Sequence, residues 1–232
     1  MECIVLAGGL GTRLRGAIGD YPKCMAPVNG QPFLHYIFRY LAEQGCTKAI
    51  LSLGYKAEVV TEWLKNQQLP FAVSHVTEQE PLGTGGGIQL ALATATEKNV
   101  VVLNGDTMFQ VSLKELLHFH TNNGAATTLA LKEMQNFDRY GIVHTDSKGI
   151  ITAFEEKRPR EHGLINGGVY IIDKGAFFER HLPEKFSFEK DYLEAYLQEH
   201  RFYGLAAGAY FIDIGIPNDY NQAQEDFKTM FV

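Results

Sequence analysis

The chain has 232 residues, of which 45% are hydrophobic and 21% charged, and this length and composition fit one globular domain with a sizeable core. The formal net charge of −6 argues against a nucleic-acid binder, which would normally present a basic surface. The three cysteines form no CxxC pair, which argues against a disulfide framework or a zinc site and favours a reducing cytoplasm. No apolar run reaches the roughly 18 residues of a membrane span, so we expect no transmembrane helix, no signal peptide and no membrane partner.

Strand and helix patterns alternate through the first half of the chain. In chain order they are the strand "ECIVLA", the helix "PFLHYIFRYLAEQG" with Gly45 as its stop, the strand "KAILSL", the helix "KAEVVTEWLKNQ", the strand "PFAVSHV", the helix "GGIQLALATA", the strand "NVVVLNGD" and the helix "SLKELLHFHTNN". The last helix opens with a capping box, Ser112 and Glu115. This alternation predicts a doubly wound α/β fold whose parallel sheet is covered on both faces.

After about residue 125 the pattern changes to strands. "ATTLALK", "YGIVHT", "GIITAFEE" and "GLINGGVYIID" are strand-like, and "TDSKG" predicts a hairpin turn between two of them. "FEKDYLEAYLQEH" predicts a helix, "GAYFIDIG" a further strand, and "PNDYNQAQEDFK" a closing helix with Pro217 in its first turn. We predict one domain over residues 1–232, in which residues from about 126 to 232 extend the sheet and build a lid.

The loop "LAGGLGTRL" follows the first predicted strand, at the end of a sheet where α/β proteins bind ligands. It does not match the dinucleotide fingerprint GxGxxG, because Leu14 stands where the third glycine should be, and it is not a Walker A loop. Its backbone N–H groups could still curl around an anion, with Arg13 and Lys23 adding positive charge. A plain strand-to-helix turn is the alternative, but the charged residues favour a phosphate site.

Two carboxylates stand at other strand ends. Asp106 closes the aliphatic strand "VVVLNGD", where a helix cap is the alternative, and Asp213 lies in "YFIDIG" between apolar residues. A charge in such surroundings has to be paired or bound to a metal. With the glycine loop and Lys23, these carboxylates form a suitable set for Mg²⁺-assisted phosphoryl chemistry.

The motifs together resemble a known family. "LAGGLGTRL…PKCMAPVNGQPFLHYIFRYLAEQG" is similar to the signature of the sugar-1-phosphate nucleotidylyltransferases, and "EPLGTGGGI", "LNGDT", "FEEK", "INGGVY" and "DIGIPNDY" follow in that family's order as far as about Tyr220. Within the family, "NFDRYGIV", "EKFSFEKDYL" and "YFIDIGIP" look most like the D-glycero-α-D-manno-heptose 1-phosphate guanylyltransferases. The resemblance implies a Rossmann-like mixed sheet flanked by helices, with the nucleotide in about residues 1–125 and the sugar phosphate in about 126–232.

The resemblance also implies a reaction and roles for residues. A sugar 1-phosphate oxygen would attack the α-phosphorus of a nucleoside triphosphate, and pyrophosphate would leave. Arg13 would neutralise the pyrophosphate, Lys23 would bridge the phosphates, and Asp106 and Asp213 would hold Mg²⁺. The nucleotide-binding set is Leu6, Ala7, Gly8, Gly9, Gly11, Thr12, Arg13, Lys23, Glu78, Glu80, Gly83, Thr84, Asn104 and Gly105. The sugar-phosphate set is Gly141, Glu156, Lys157, Asn166 and Gly167, of which Lys157 would bind the phosphate and Glu156 and Asn166 the hydroxyl groups.

The base preference depends on a glutamate in "TEQEPLGTGGGI". Glu78 stands where uridylyl- and thymidylyltransferases of the family often carry glutamine, and Glu80 is the other candidate. A carboxylate only accepts hydrogen bonds, and guanine offers N1–H and N2–H₂ as adjacent donors. Gly83 would let the base lie flat on the backbone. GTP is therefore the expected nucleotide, unless both glutamates are merely solvated loop residues.

Several alternatives stay open at this stage. The enzyme could be a mannose-1-phosphate guanylyltransferase, or a cytidylyl-, uridylyl- or thymidylyltransferase acting on hexose 1-phosphates. A non-catalytic nucleotide-sugar sensor is the alternative of another class, and the presence of Arg13, Lys23, Asp106 and Asp213 argues against it. The expected role is nucleotide-sugar biosynthesis for lipopolysaccharide, capsule or S-layer glycans, and a homo-oligomer is left open.

Overall fold

The computed structural model describes residues 1–9, 14, 16 and 19–231. The strands in this part of the chain are β1 (Glu2–Ala7), β2 (Pro27–Val28), β3 (Gln31–Pro32), β4 (Lys48–Leu53), β5 (Ala72–Thr77), β6 (Asn99–Asn104), β7 (Thr107–Phe109), β8 (Thr127–Phe137), β9 (Ile142–Thr145), β10 (Ile151–Glu155), β11 (Arg160–Asp173), β12 (Phe202–Ala207) and β13 (Phe211–Asp213). The α-helices bounded here are α1 (Phe33–Glu43), α2 (Ala57–Leu64), α3 (Gly83–Thr94), α4 (Leu113–Asn122), α5 (Lys174–Phe178) and α6 (Pro217–Met230). Shorter helical segments cover Lys23–Met25, Phe188–Glu194 and Leu197–Glu199.

A mixed sheet of nine strands forms the centre of the molecule. Its main path runs β10-β9-β11-β6-β1-β4-β5, while β8 pairs with β11 and β12 pairs with β8. Strands β6, β1, β4 and β5 are parallel, and β11 joins β6 in the antiparallel direction. Leu6 lies opposite both Ser52 and Asn104, so the carboxyl ends of three parallel strands meet at one edge. The α/β fold predicted from the sequence, with its mixed sheet flanked by helices, is confirmed.

Three of the four parallel strands, β1, β4 and β6, are buried on both faces, whereas the edge strand β5 is partly exposed. Along β1, Cys3 and Val5 pack in one apolar cluster with side chains of α1 and α6, while Ile4 packs in another with Ile88 of α3. Because neither face meets water, these strands are nearly uninterrupted aliphatic runs, which made them recognisable in the sequence. None of the helices in the ranges given above is long and apolar enough to cross a membrane.

Besides the short helix α5, which no pattern predicted, two segments of the second half depart from the sequence prediction. "FEKDYLEAYLQEH" is helical, but it forms a π-helix over Phe188–Glu194 and a 3₁₀ turn over Leu197–Glu199 rather than one α-helix. The segment "FYGLAA" was not predicted as a strand, yet as β12 it pairs in parallel with β8. Both features are set by tertiary contacts, because Arg180 is buried against the rings of Tyr192, Tyr196 and Phe202.

The buried His120 of α4 makes the fold sensitive to acid. Its Nδ1 atom lies 2.9 Å from Oγ1 of Thr128, and the residue is 1% exposed. Burial lowers the pKa of His120 to about 4, a shift that Asp173 opposes and Lys98 supports. The unfolded chain takes up this proton near pH 6.5, so the folded state loses stability as the pH falls from about 6.5 towards 4.

We expect this one group to cost up to about 3 kcal/mol of unfolding free energy between pH 7 and pH 4. Replacing His120 by leucine should remove that part of the pH dependence, as measured by urea unfolding at several pH values. His118→Leu, an exposed histidine on the same helix, is the matched control and should leave the pH profile unchanged. Parallel profiles for wild type and His120→Leu would contradict the assignment.

Candidate functional site

At the carboxyl edge of the sheet, the end of β1 contacts the connection between β6 and β7. The backbone N–H of Gly105 donates to the carbonyl of Leu6 at 2.8 Å. A Cβ atom at Gly105 would lie 2.6 Å from that same oxygen, so a side chain there cannot be accommodated. The glycine therefore lets Asp106 approach the end of β1.

A cavity of about 350 Å³ opens at this edge. Ten of the residues predicted to bind the nucleotide line it: Leu6, Ala7, Gly8, Gly9, Lys23, Glu78, Gly83, Thr84, Asn104 and Gly105. Gly11, Thr12 and Arg13 lie outside the described residues. The wall also contains residues that the sequence analysis did not select for binding: Cys24, Ser52, Pro81, Gly87 and Glu189.

A second cavity of about 440 Å³ adjoins the first, because Asn104 and Glu189 line both. Its wall includes the whole set predicted to bind the sugar phosphate, Gly141, Glu156, Lys157, Asn166 and Gly167, together with Asp213. Further lining residues that the sequence did not indicate include Thr107, Tyr140, Ser187, Lys190 and Glu194. Several of them lie inside segments that carried the resemblance, such as "NFDRYGIV" and "EKFSFEKDYL", but the sequence analysis assigned them no role.

Lys23 lies between the two predicted carboxylates. Its ammonium group pairs with Asp106 and is 3.9 Å from Oδ1 of Asp213. The antiparallel pairing of β7 with β13 places Asp213 opposite Thr107, and the N–H of Ile214 donates to the carbonyl of Asp106 at 3.0 Å. Residues far apart in the chain thus form one charged cluster that reaches both cavities.

The surroundings of Asp213 show why a cation is required here. Burial raises the pKa of Asp213, and the negative charge of Asp106 raises it further, while Lys23 opposes both effects. The N–H of Gly215 donates to Oδ1 at 2.8 Å, which also favours the charged form. Two half-buried carboxylates this close repel each other unless positive charge stands between them.

The donor set is compatible with a magnesium ion. No cluster of three or more His, Cys, Asp or Glu side chains able to hold a metal occurs among the residues described. Mg²⁺ in phosphoryl-transfer sites is, however, usually held by one or two carboxylates, with substrate phosphates and water completing its shell. Asp106 and Asp213 supply such a pair.

The two candidate glutamates differ in position. Glu78 lines the first cavity, and its Oε2 atom accepts a hydrogen bond from the N–H of Leu82 at 3.0 Å. Glu80 is exposed and is not part of the cavity wall. Of the two, only Glu78 contributes to the wall of the first cavity.

The glycines at the start of α3 admit another part of the chain. The segment 184–188, which we call the crossing segment, runs over them, with the N–H of Gly85 donating to Phe186 at 3.0 Å. A Cβ atom at Gly83, where φ is +75°, would lie 2.5 Å from the carbonyl oxygen of Phe186. One at Gly86 would overlap the carbonyl oxygen of Glu184. The sequence "GTGGG" thus has a packing requirement in addition to the base contact predicted for Gly83.

Comparison with known proteins agrees with this arrangement. A family model described as nucleotidyl transferase matches residues 2–229. The chain belongs to this family, and the sequence-based expectation of a nucleotidylyltransferase is confirmed.

Within this family, the chain is similar to several individual proteins. The chain is 50% identical to a D-glycero-α-D-manno-heptose 1-phosphate guanylyltransferase of Aneurinibacillus thermoaerophilus, over 98% of this chain and 99% of the relative. It is 44% identical to a protein of the same name from Campylobacter jejuni, over 95% and 97% of the two chains. The crystal structure of HddC from Yersinia pseudotuberculosis superposes with a TM-score of 0.88 at 36% identity, covering 97% of this chain and 99% of HddC. HddC complexed with GMP-PN superposes with a TM-score of 0.85.

The packing of the crossing segment on α3 can be tested at Gly86. Alanine is the better helix former, yet in Gly86→Ala its methyl group would meet the backbone of the crossing segment, and such overpacking costs about 1–3 kcal/mol. We expect urea unfolding to show this loss. Gly208→Ala is the matched control, because a Cβ atom there would meet nothing within 4 Å. Gly86→Ala as stable as wild type would contradict the close contact.

Proposed function

We propose that this protein transfers GMP from GTP to a sugar 1-phosphate, releasing pyrophosphate and forming a GDP-sugar, with D-glycero-α-D-manno-heptose 1-phosphate as the favoured acceptor. The observation that carries the proposal is the charged cluster that reaches two adjoining cavities. Lys23 and Asp106 line the first cavity and Asp213 lines the second. The names of the relatives at 50% and 44% identity support the choice of GTP and of the heptose.

The chain's own residues would act by positioning and by charge. The sugar phosphate oxygen forms a bond to the α-phosphorus as the bond to pyrophosphate breaks, so negative charge spreads over the transferred group. Lys23 lies where it can stabilise that charge, and Lys157 in the second cavity can bind the sugar phosphate. Asp106 and Asp213 would hold Mg²⁺, which supplies further neutralisation of the phosphates.

Further parts of the proposal concern the substrates' other groups and the setting. Glu78 would accept hydrogen bonds from guanine, and Glu156 and Asn166 would bind sugar hydroxyl groups. We also propose that the chain functions as one domain, 1–232, in the cytoplasm and serves the synthesis of a surface glycan. The free buried thiols of Cys3, Cys24 and Cys46 are compatible with a reducing compartment.

A matrix of nucleoside triphosphates against sugar 1-phosphates, with pyrophosphate release as the readout, tests the proposal directly. GTP with the heptose 1-phosphate should give the highest kcat/KM. A preference for mannose 1-phosphate would overturn the heptose assignment and leave guanylyl transfer standing. A preference for CTP, UTP or dTTP would overturn the assignment of guanine as the base. No pyrophosphate release from a folded protein with any pair would overturn catalysis itself.

The contact between Glu78 and guanine predicts discrimination against ITP, which lacks the N2 amine. A site built for a polar group rejects the analogue without it, so we expect kcat/KM to fall roughly 10- to 100-fold from GTP to ITP. Glu78→Gln should narrow this gap, whereas Glu80→Gln, the exposed control, should leave it unchanged. Equal use of GTP and ITP by the wild type would contradict the carboxylate contact.

The charged cluster predicts large losses of turnover. Lys23→Ala should cost at least about 3 kcal/mol of transition-state stabilisation, comparable to the loss of one preorganised donor, and the loss should appear in kcat. Asp106→Asn and Asp213→Asn should each remove most turnover and weaken the Mg²⁺ dependence, as measured in a Mg²⁺ titration. Lys185→Ala, an exposed lysine of the crossing segment, is the control and should be unaffected. A change in KM alone for Lys23→Ala would make Lys23 a uniform binding residue instead.

A further inference from the structure

Glu189 lies within "EKFSFEKDYL", a segment that carried the family resemblance, but the sequence analysis gave this residue no role. It is the second residue of the π-helix Phe188–Glu194, and its half-buried side chain lines both cavities. The only other residue of the described chain that lines both is Asn104. A single carboxylate thus stands in the wall between the two proposed substrates.

The carboxylate is oriented by two hydroxyl groups. Oε2 of Glu189 lies 2.9 Å from Oγ1 of Thr84 and 3.1 Å from Oγ of Ser187. Each hydroxyl oxygen already accepts a backbone N–H, Thr84 from Phe188 at 3.0 Å and Ser187 from Lys190 at 3.2 Å. A hydroxyl group has one proton, so both protons are available for Glu189. This arrangement holds the side chain in one orientation.

The second oxygen of the same carboxylate is left for a ligand. Within the part of the chain that the structure describes, Oε1 of Glu189 makes no hydrogen bond, and no lysine, arginine or histidine pairs with the side chain. A carboxylate accepts hydrogen bonds and repels phosphate groups, so the matching ligand chemistry is an uncharged donor. In a nucleotide and a sugar 1-phosphate, hydroxyl groups on the ribose or on the sugar ring supply such donors.

We propose that Glu189 is a substrate-binding residue whose Oε1 atom accepts a hydrogen bond from a hydroxyl group of the ribose or of the sugar, and that Thr84 and Ser187 are positioning residues for it. The inference rests on the proposed function and adds a specificity contact to it. Thr84 lies in the first turn of α3, in the first half of the chain, and Glu189 belongs to the second half. The contact between them therefore also ties the two cavities together.

The test combines variants with substrates that lack single hydroxyl groups. Glu189→Ala should lower kcat/KM roughly 10- to 100-fold, mainly through KM, because a substrate hydroxyl loses its acceptor. Glu189→Gln keeps one acceptor oxygen and should lose less. Each variant is assayed with 2′-deoxy-GTP and 3′-deoxy-GTP, and with the deoxy analogues of the best sugar 1-phosphate.

Non-additive losses identify the partner. With the analogue that lacks the contacted hydroxyl, the kcat/KM of the wild type should fall as far as that of Glu189→Ala does with the complete substrate. Combining Glu189→Ala with that analogue should lower kcat/KM little further. A ribose analogue behaving in this way assigns the contact to the nucleotide, and a sugar analogue assigns it to the acceptor. Thr84→Val should also lower kcat/KM, and the double variant with Glu189→Ala should be little worse than Glu189→Ala alone. Thr84→Ser keeps the hydroxyl group and should retain the wild-type kcat/KM.

Two controls keep the outcomes distinct. Glu184→Ala removes an exposed glutamate of the crossing segment and should match the wild type, and thermal unfolding of every variant checks that the fold is intact. Two outcomes would overturn the role of Glu189 while leaving the proposed function standing. One is an active wild type in which the loss from Glu189→Ala and the loss from every deoxy analogue add. The other is a kcat/KM of Glu189→Ala equal to that of the wild type. An inactive wild type with every substrate pair would instead overturn the proposed function.

Discussion

The position of Lys23 between Asp106 and Asp213 is the interaction on which the rest of the site depends. Two half-buried carboxylates that share one lysine repel each other when no cation lies between them. Burial and the charge of Asp106 accordingly raise the pKa of Asp213. The pairing of β7 with β13 nevertheless forces them together, because Thr107 lies opposite Asp213. The fold therefore holds negative charge at a fixed place and brings a lysine to it. Such an arrangement suits the proposed ligand, a nucleoside triphosphate together with a divalent ion.

Close backbone contact, both within the first half of the chain and between its two halves, is the second constraint. Gly105 is pressed against the end of β1, and the glycines of α3 are pressed against the crossing segment. Any side chain at Gly86 would push the crossing segment outward, and Glu189 follows that segment directly. The glycine-rich sequence of α3 thus serves the position of a residue that lies about a hundred places later in the chain. A catalytic cleft formed by two halves has to fix their distance, and backbone packing does so more rigidly than flexible side chains can.

The sequence was informative where local pattern and chemistry coincide. Strands β1, β4 and β6 were predicted because burial on both faces makes them aliphatic. Asp213 was selected because a charge between apolar residues needs a partner. Strand β12 was missed because Gly204 interrupts it, and only the structure shows that a side chain there would collide with Leu131 of β8. The π-helix and Glu189 were missed for a related reason. Their roles come from contacts with Arg180 and Thr84, which no spacing along the chain reveals.

The shared wall of the two cavities explains how one substrate can position the other. Asn104 is the last residue of β6, and its side chain packs against Gly168. A Cβ atom at Gly168 would lie only 2.6 Å from Nδ2 of Asn104. Gly168 adopts a φ of +73° and donates its N–H to Oδ1 of Asn166 at 3.0 Å. The end of β6 and the irregular stretch of β11 around Gly168 therefore pack tightly together at the boundary. Because Lys23 lines one side of this boundary and Lys157 the other, phosphate groups bound in the two cavities would be drawn towards the same place. Bringing two phosphates together is the main requirement of an in-line transfer, so in the proposed reaction this boundary would be where the substrates are positioned for it.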